Sequence, residues 1–125
     1  MEKSVNLKEK FMDEFGLVEQ DIRTYSPLTL AYIGDAIFEL VVRTVLVERK
    51  NTQAEKLHKA ATKIVKAETQ ALMIEALKED LTEEELAVFK RGRNAKAMTR
   101  AKNATMSEYR RATGFEALMG YLYLK

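Results

Sequence analysis

The sequence predicts an all-α protein. Apolar residues recur at helical spacing along nearly the whole chain, and no stretch shows the strict alternation typical of a strand. One proline and five glycines among 125 residues leave few interruptions for helices. The length suits one ordinary domain, and no repeat or linker divides it, so we expect a single helical domain over residues 1–125.

The first part of the chain predicts a short helix and a long one. Residues 5–15 form a short helical pattern that ends at Gly16. After a connector, Ser26 supplies an N-cap and Pro27 suits the first helical position. The helix that follows is expected to reach about residue 49.

The second part predicts further helices with weaker patterns between them. Asn51 and Thr52 are candidate caps, and Thr82 with Glu85 forms a capping box. Residues 92–106 have weaker periodicity, which fits either a frayed helix or a loop. The expected helices cover approximately residues 51–65, 67–78 (separate or continuous with the previous one), 82–91 and 107–124.

Composition indicates a cytoplasmic protein. The absence of cysteine excludes disulfides and thiolate metal sites and fits a reducing compartment. The N-terminus lacks the apolar core of a signal peptide. The most apolar segment, residues 28–47, contains three charged side chains, so we expect a core helix and no membrane span.

The net charge of +2 conceals a strong asymmetry. Residues 1–89 carry a net charge of −5, whereas residues 90–111 carry eight lysines and arginines against one glutamate. A basic segment on an otherwise acidic domain predicts a polyanionic partner. The candidate contacts to that partner are Lys90, Arg91, Arg93, Asn94, Lys96, Arg100, Lys102, Arg110 and Arg111.

Two apolar helices each carry an isolated carboxylate. Asp35 lies beside Gly34 in the first, and Glu116 lies one turn before Gly120 in the second. Small residues would let the two helices approach closely and bring both acids together. Because a buried carboxylate needs a partner, a site for Mg²⁺ is plausible, and the alternative is an ion pair of Glu116 with Arg110 or Arg111.

Asp35 shares its helix face with Glu39 and Arg43, at spacings of four residues. Glu39 could orient a water molecule beside a metal ion. An ordinary surface ion pair between Glu39 and Arg43 explains the spacing equally well.

Both apolar segments resemble motifs of the ribonuclease III family. Residues 30–39, Leu-Ala-Tyr-Ile-Gly-Asp-Ala-Ile-Phe-Glu, are similar to its signature helix. Residues 115–124, which begin Phe-Glu-Ala-Leu-Met-Gly, resemble its second motif. The chain ends one residue later and is expected to lack the double-stranded-RNA-binding domain of typical members. With residues 91–96 (Arg-Gly-Arg-Asn-Ala-Lys), it is similar to the Mini-III subgroup.

The resemblance implies a Mg²⁺-dependent endoribonuclease with the ribonuclease III helical fold. Asp35 and Glu116 match family metal ligands and would be catalytic, with Mn²⁺ as a possible substitute ion. Ala31 and Thr113 stand where typical members carry two further acids, a reduction that Mini-III sequences generally share. The implied reaction cuts double-stranded RNA and leaves 5′-phosphate and 3′-hydroxyl ends.

The resemblance also implies partners. Mini-III enzymes mature the precursor of large-subunit (23S) ribosomal RNA, so this precursor is the expected substrate and ribosomal proteins are further candidates. Cutting both strands needs two sites, which a symmetric homodimer supplies. The expected interface residues are Tyr32, Ile33, Ile37 and Phe38, although all four could equally be ordinary core.

Alternative functions remain open at this point. The two missing acids would suit a catalytically inactive dimeric RNA-binding module associated with ribosome assembly. A helical nucleotide pyrophosphatase would need clustered glutamates that these apolar helices lack. A plain dimerisation domain would leave the basic segment without a role. Between Lys90 and Glu108 the segment has no aromatic residue, which favours duplex RNA over single strands.

Overall fold

A computed structural model describes residues 6–95 and 105–125, and over these residues it is all-α, as the sequence predicts. Two short 3-10 turns, Ile22–Thr24 and Lys78–Asp80, join the longer elements. Nothing in the described part of the chain forms a strand. The helices are α1 (Leu7–Glu14), α2 (Pro27–Arg49), α3 (Ala54–Ile64), α4 (Ala67–Leu77), α5 (Glu83–Asn94) and α6 (Met106–Leu124).

Local capping chemistry sets several helix starts. The Ser26 hydroxyl accepts a hydrogen bond from the Thr29 amide, and Pro27 opens α2, as expected. Thr82 and Glu85 form the predicted capping box at α5. The prediction for α3 is wrong in detail: Gln53, and neither Asn51 nor Thr52, is the N-cap residue, and its side chain makes no cap hydrogen bond.

The sequence left open whether α3 and α4 are continuous, and the structure separates them. Val65 ends α3, and Lys66 adopts an extended conformation before α4 begins. The side chain of Gln70 donates from Nε2 to the Val65 carbonyl oxygen at 3.2 Å. A buried side chain therefore satisfies one of the carbonyl groups that the end of α3 leaves without a helical partner.

Helix α6 is the central element, and α2, α4 and α5 pack around it. Phe115 of α6 meets Phe38 of α2 edge to face, with ring centroids 5.1 Å apart. The main core is completed by Val42 of α2, Leu118 of α6, and one residue each from α3, α4 and α5: Ala61, Ile74 and Phe89. No helix within residues 6–95 and 105–125 is both long and apolar enough to cross a bilayer.

Candidate active site

The backbones of α2 and α6 touch where they cross. A Cβ atom on Gly34 would overlap the carbonyl oxygen of Glu116, and one on Gly120 would lie 2.0 Å from the carbonyl oxygen of Leu30. Only glycine fits at two such contacts. The close approach that the small residues predict is therefore present, and it fixes the positions of Asp35 and Glu116.

The two carboxylates meet beside this crossing. Asp35 is exposed and Glu116 is partly buried, and both side chains line the same cavity. Burial, together with the negative charge of Asp35 and a hydrogen bond to it, raises the pKa of Glu116 from 4.5 to about 8. The metal-free pair therefore holds a proton near neutral pH, because two adjacent anions are unfavourable without a cation.

Asp35 and Glu116 open into one cavity of about 450 Å³ between α2 and α6. Its polar lining comes from both helices, and its apolar lining comes from the N-terminal half of α2. The lining residues are Leu28, Ala31, Tyr32, Ile33, Asp35, Ala36, Glu39, Tyr109, Thr113 and Glu116. The cavity is wide enough to admit waters and a phosphate group beside the carboxylates.

Two lining residues stand at the positions where the family resemblance leads one to expect acids. Ala31 forms part of the wall and has no polar side-chain atom. Thr113 is buried, and its hydroxyl donates to the Tyr109 carbonyl at 3.0 Å. Across residues 6–95 and 105–125, no group of three or more His, Cys, Asp or Glu side chains is arranged to hold a metal.

A pair of carboxylates nevertheless fits Mg²⁺. This ion prefers oxygen ligands, retains several waters and is commonly bound by one or two carboxylates together with substrate phosphates. Asp35 and Glu116 offer only oxygen atoms in an open cavity. The donor set thus suits Mg²⁺ or Mn²⁺ more than a soft metal.

Glu39 lines the same cavity but already has a partner. Its carboxylate accepts a hydrogen bond from the Arg43 guanidinium one turn along α2. This is the surface ion pair that the spacing allowed. Glu39 therefore lines the cavity while its carboxylate is paired with Arg43.

Sequence reasoning missed two residues at this site. Tyr109 lines the cavity seven positions before Glu116, and two helical turns separate residues that share a face, so spacing alone could have found it. Gln70 is buried on α4, and its amide opposes the rise in the pKa of Glu116. Gln70 follows Glu68 and Thr69 directly, so the local sequence gives no signal that it is buried.

The predicted RNA-contact residues that the structure describes lie on α5 and in the first turns of α6. A cleft of about 490 Å³ is lined by Arg93, Asn94, Met106, Ser107, Arg110 and Arg111. Two of these arginines also have partners inside the protein. Arg93 donates to Asn94 and lies over the Phe89 ring, and Arg111 lies 3.4 Å from the Glu75 carboxylate on α4.

Arg91 lies apart from this cleft, in a second cavity of about 480 Å³ with Arg23, Glu84 and Tyr121. Lys90 is exposed. The remaining predicted contacts, Lys96, Arg100 and Lys102, lie outside the described residues. The basic segment thus lines two different cavities on α5.

The four candidate interface residues differ in exposure. Tyr32 is 82% exposed, although it is large and aromatic. Ile33 and Ile37 are half-buried. Phe38 is 3% exposed and packs on Phe115 in the core, so its expected interface role is wrong and the core alternative holds for it.

Comparison with known proteins defines the class. The family model described as "Ribonuclease III domain" matches residues 28–125, so the chain belongs to the ribonuclease III family. A crystal structure of a Fusobacterium nucleatum protein superposes with a TM-score of 0.77 at 37% identity, covering 85% of this chain and 86% of that one.

The curated relatives specify the subgroup. Mini-ribonuclease 3 of Clostridium tetani is 50% identical over 107 residues, covering 85% of this chain and 71% of the relative. That of Enterococcus faecalis is also 50% identical, covering 84% of this chain and 81% of the relative. Within its family, the chain therefore belongs with the Mini-ribonuclease 3 enzymes and is an endoribonuclease acting on RNA.

Proposed function

We propose that the protein cleaves double-stranded RNA with the help of Mg²⁺ held between Asp35 and Glu116. The observation that carries the proposal is the meeting of these two carboxylates in one open cavity. Among residues 6–95 and 105–125, no arginine or lysine lines this cavity. A divalent cation between the two carboxylates would stabilise both acids in their ionised forms.

The residues of the chain have distinct roles in this proposal. A bound Mg²⁺ would supply Lewis-acid activation of the attacking water and the scissile phosphate. Exposed Asp35 presents its carboxylate at the mouth of the cavity, while partly buried Glu116 must lose its proton before it can bind a cation. The glycine contacts between α2 and α6 hold the two acids at a fixed separation.

Duplex RNA is the proposed substrate because the arginine cleft is suited to a regular phosphate backbone. Arg110 is exposed at the cleft and Asn94 lies across it. A-form duplexes are recognised mainly through their shape, phosphates and 2′-hydroxyls. Binding that depends on arginine–phosphate contacts weakens steeply as salt rises.

A homodimer is proposed because one chain offers one such site and a duplex has two strands. One side of α2 supports it, since Tyr32, Leu40 and Val47 are large apolar side chains that are 82%, 52% and 49% exposed and lie on the same side of the helix. Exposed apolar side chains gathered on one side of a helix commonly mark an interface. If two copies packed through α2 about a two-fold axis, the dimer would contain two equivalent sites.

The cellular role that we propose is maturation of the large-subunit ribosomal RNA precursor, with ribosomal proteins as candidate helpers. It rests on membership of the Mini-ribonuclease 3 group. The second candidate is an inactive RNA-binding module, favoured by Ala31 and Thr113, which provide no acid at the cavity.

A cleavage assay on a perfect RNA duplex separates the two candidates. We expect the wild type to cut with Mg²⁺ or Mn²⁺, and Asp35→Asn and Glu116→Gln to lose cutting while retaining their helical content. Glu48→Gln, an exposed acid on the same helix α2, is the matched control and should cut normally. A wild type that binds the duplex but never cuts it would favour the inactive module.

A further inference from the structure

Tyr109 is a half-buried tyrosine in the cavity between α2 and α6, and the proposed reaction gives it no role. It precedes Glu116 on α6 by about 10 Å along the axis and lies on nearly the same face of the helix. Its main-chain oxygen accepts a hydrogen bond from the Thr113 hydroxyl, whereas its phenol oxygen has no partner within residues 6–95 and 105–125. Since no buried side-chain oxygen there lacks a partner, the phenol oxygen is open to solvent.

The other polar side chains of this cavity are mostly hydrogen-bond acceptors. Asp35, Glu39 and Glu116 are carboxylates, which in their ionised forms accept hydrogen bonds and cannot donate them. The hydroxyl of Thr113 already donates within α6. The phosphates of RNA are acceptors too, and proteins hold them with donor groups, tyrosine hydroxyls among them. A phosphate in this cavity therefore needs a donor that the carboxylates cannot supply.

Two phenols are the remaining side-chain donors among the described lining residues, and they differ in how firmly they are held. Tyr32 is 82% exposed and belongs to the apolar side of α2 that the proposed dimer covers. Tyr109 is half-buried on the central helix α6, which also carries Glu116. Its hydroxyl is the donor with the more restricted position, and a group that is ordered before binding loses less conformational freedom when it binds.

We propose that the Tyr109 hydroxyl donates a hydrogen bond to an RNA phosphate next to the scissile one, and so positions the strand in the cavity. A neighbouring phosphate is the acceptor because Tyr109 and Glu116 lie two helical turns apart. This inference rests on the proposed function, since it takes RNA to be cut at Asp35 and Glu116. A hydrogen bond to a charged group changes a binding constant by a factor of about 10 to 100.

The first test is the cleavage kinetics of Tyr109→Phe on a perfect RNA duplex with Mg²⁺. The substitution removes only the hydroxyl. We expect kcat/KM to fall about 10- to 100-fold, mainly through a higher KM, because the contact is already made in the bound substrate. The melting temperature and the Mn²⁺ affinity without RNA should stay unchanged. A tyrosine with only a structural role would lower the melting temperature and leave KM as it is.

Tyr123→Phe is the matched control for this measurement. Tyr123 is also half-buried on α6, and it does not line the cavity. The same chemical change there should leave kcat/KM unchanged. An equal loss in both variants would overturn the specific role of Tyr109.

The second test identifies the acceptor on the RNA. In a series of duplexes, each phosphate next to the scissile one is replaced in turn by an uncharged methylphosphonate. At one position the replacement should raise the KM of the wild type and cause no further rise in Tyr109→Phe, because the two changes remove the same contact. Single 2′-deoxynucleotides at the same positions should affect both proteins equally.

The outcomes distinguish this inference from the function on which it rests. If the wild type cuts the duplex and Tyr109→Phe cuts it with the same kcat/KM, the role of Tyr109 is overturned and the proposed function stands. If the shared loss occurs with a 2′-deoxynucleotide and with no methylphosphonate, the phosphate contact is overturned in favour of a ribose contact. If the wild type does not cut the duplex, both the function and the role of Tyr109 are overturned.

Discussion

The α-carbon of Gly34 faces the main-chain oxygen of Glu116 so closely that a Cβ atom there would lie only 1.7 Å from it. The obstacle is backbone of the central helix and not a movable side chain. The contact therefore joins the helix that carries Asp35 directly to the residue that carries the second acid. Both the fold and the site depend on the same glycine.

Gly34→Ala should be strongly destabilising. Backbone atoms of α2 or α6 must move to admit the methyl group, and overpacking of this kind costs about 3 kcal/mol or more. Gly16→Ala is the informative control, because Gly16 has φ +61° with nothing within 4 Å of its added Cβ, and a left-handed alanine costs about 1 kcal/mol. Urea denaturation measures both. If both variants lost the same free energy of unfolding, α2 and α6 would be able to move apart at Gly34 at little cost.

The stability of the metal-free protein should fall as pH rises from about 5 to 8. Burial and the Asp35 charge raise the pKa of Glu116 from 4.5 to about 8. The folded protein thus keeps a proton that the unfolded chain has lost, so its stabilising effect is complete below pH 4.5 and disappears as pH rises through 8.

Melting temperatures measured in a chelator across this pH range check the effect. Glu116→Gln cannot ionise, so its melting temperature should not show this decline. The variant retains His58, the only histidine, and therefore corrects for any histidine titration. A decline of the same size in both proteins would show that Glu116 is not its source.

How much of this arrangement the sequence predicts depends on the range of the interactions. Ser26 with Pro27, and Thr82 with Glu85, act within one turn, and their helix starts are found where expected. Thr105 and Glu108 form an equally local capping box that could have been recognised. Asn51 and Thr52 had the right chemistry, but the chain enters α3 two residues later.

Tertiary contacts account for what the sequence did not predict. Phe38 and Tyr32 are both apolar residues of one helix, and only the position of α6 decides that the first is core and the second is exposed. Gln70 is distant in sequence from Glu116 and carries no local pattern that links the two. The glycines beside Asp35 and Glu116 were informative because small residues limit how helices can pack.

The dimer should depend on Tyr32. Tyr32→Glu places a charge on the exposed apolar side of α2, and we expect the mutant to sediment as a monomer in analytical ultracentrifugation while the wild type sediments as a dimer. Leu72→Glu makes a similar change at an apolar side chain that is 66% exposed on α4. A dimer that survives the first change and dissociates with the second would move the interface to α4.

Arg110 should contribute to RNA affinity through phosphate contact. Arg110→Ala should weaken binding of duplexes of any sequence and reduce the slope of log affinity against log salt by about 1. Filter binding at several salt concentrations measures both, with Asp35→Asn as background so that no RNA is cut. Lys59→Ala, exposed on α3 outside the basic segment, should have no effect. An unchanged slope for Arg110→Ala would place the RNA elsewhere.

The most direct measurement is a crystal soaked in Mn²⁺ and examined by anomalous diffraction. We expect one anomalous peak between the carboxylates of Asp35 and Glu116, within about 2.0–2.6 Å of an oxygen atom of each. The peak should disappear in crystals of Glu116→Gln. A well-ordered site that stays empty at saturating Mn²⁺, or an ion bound by only one of the two acids, would contradict the account.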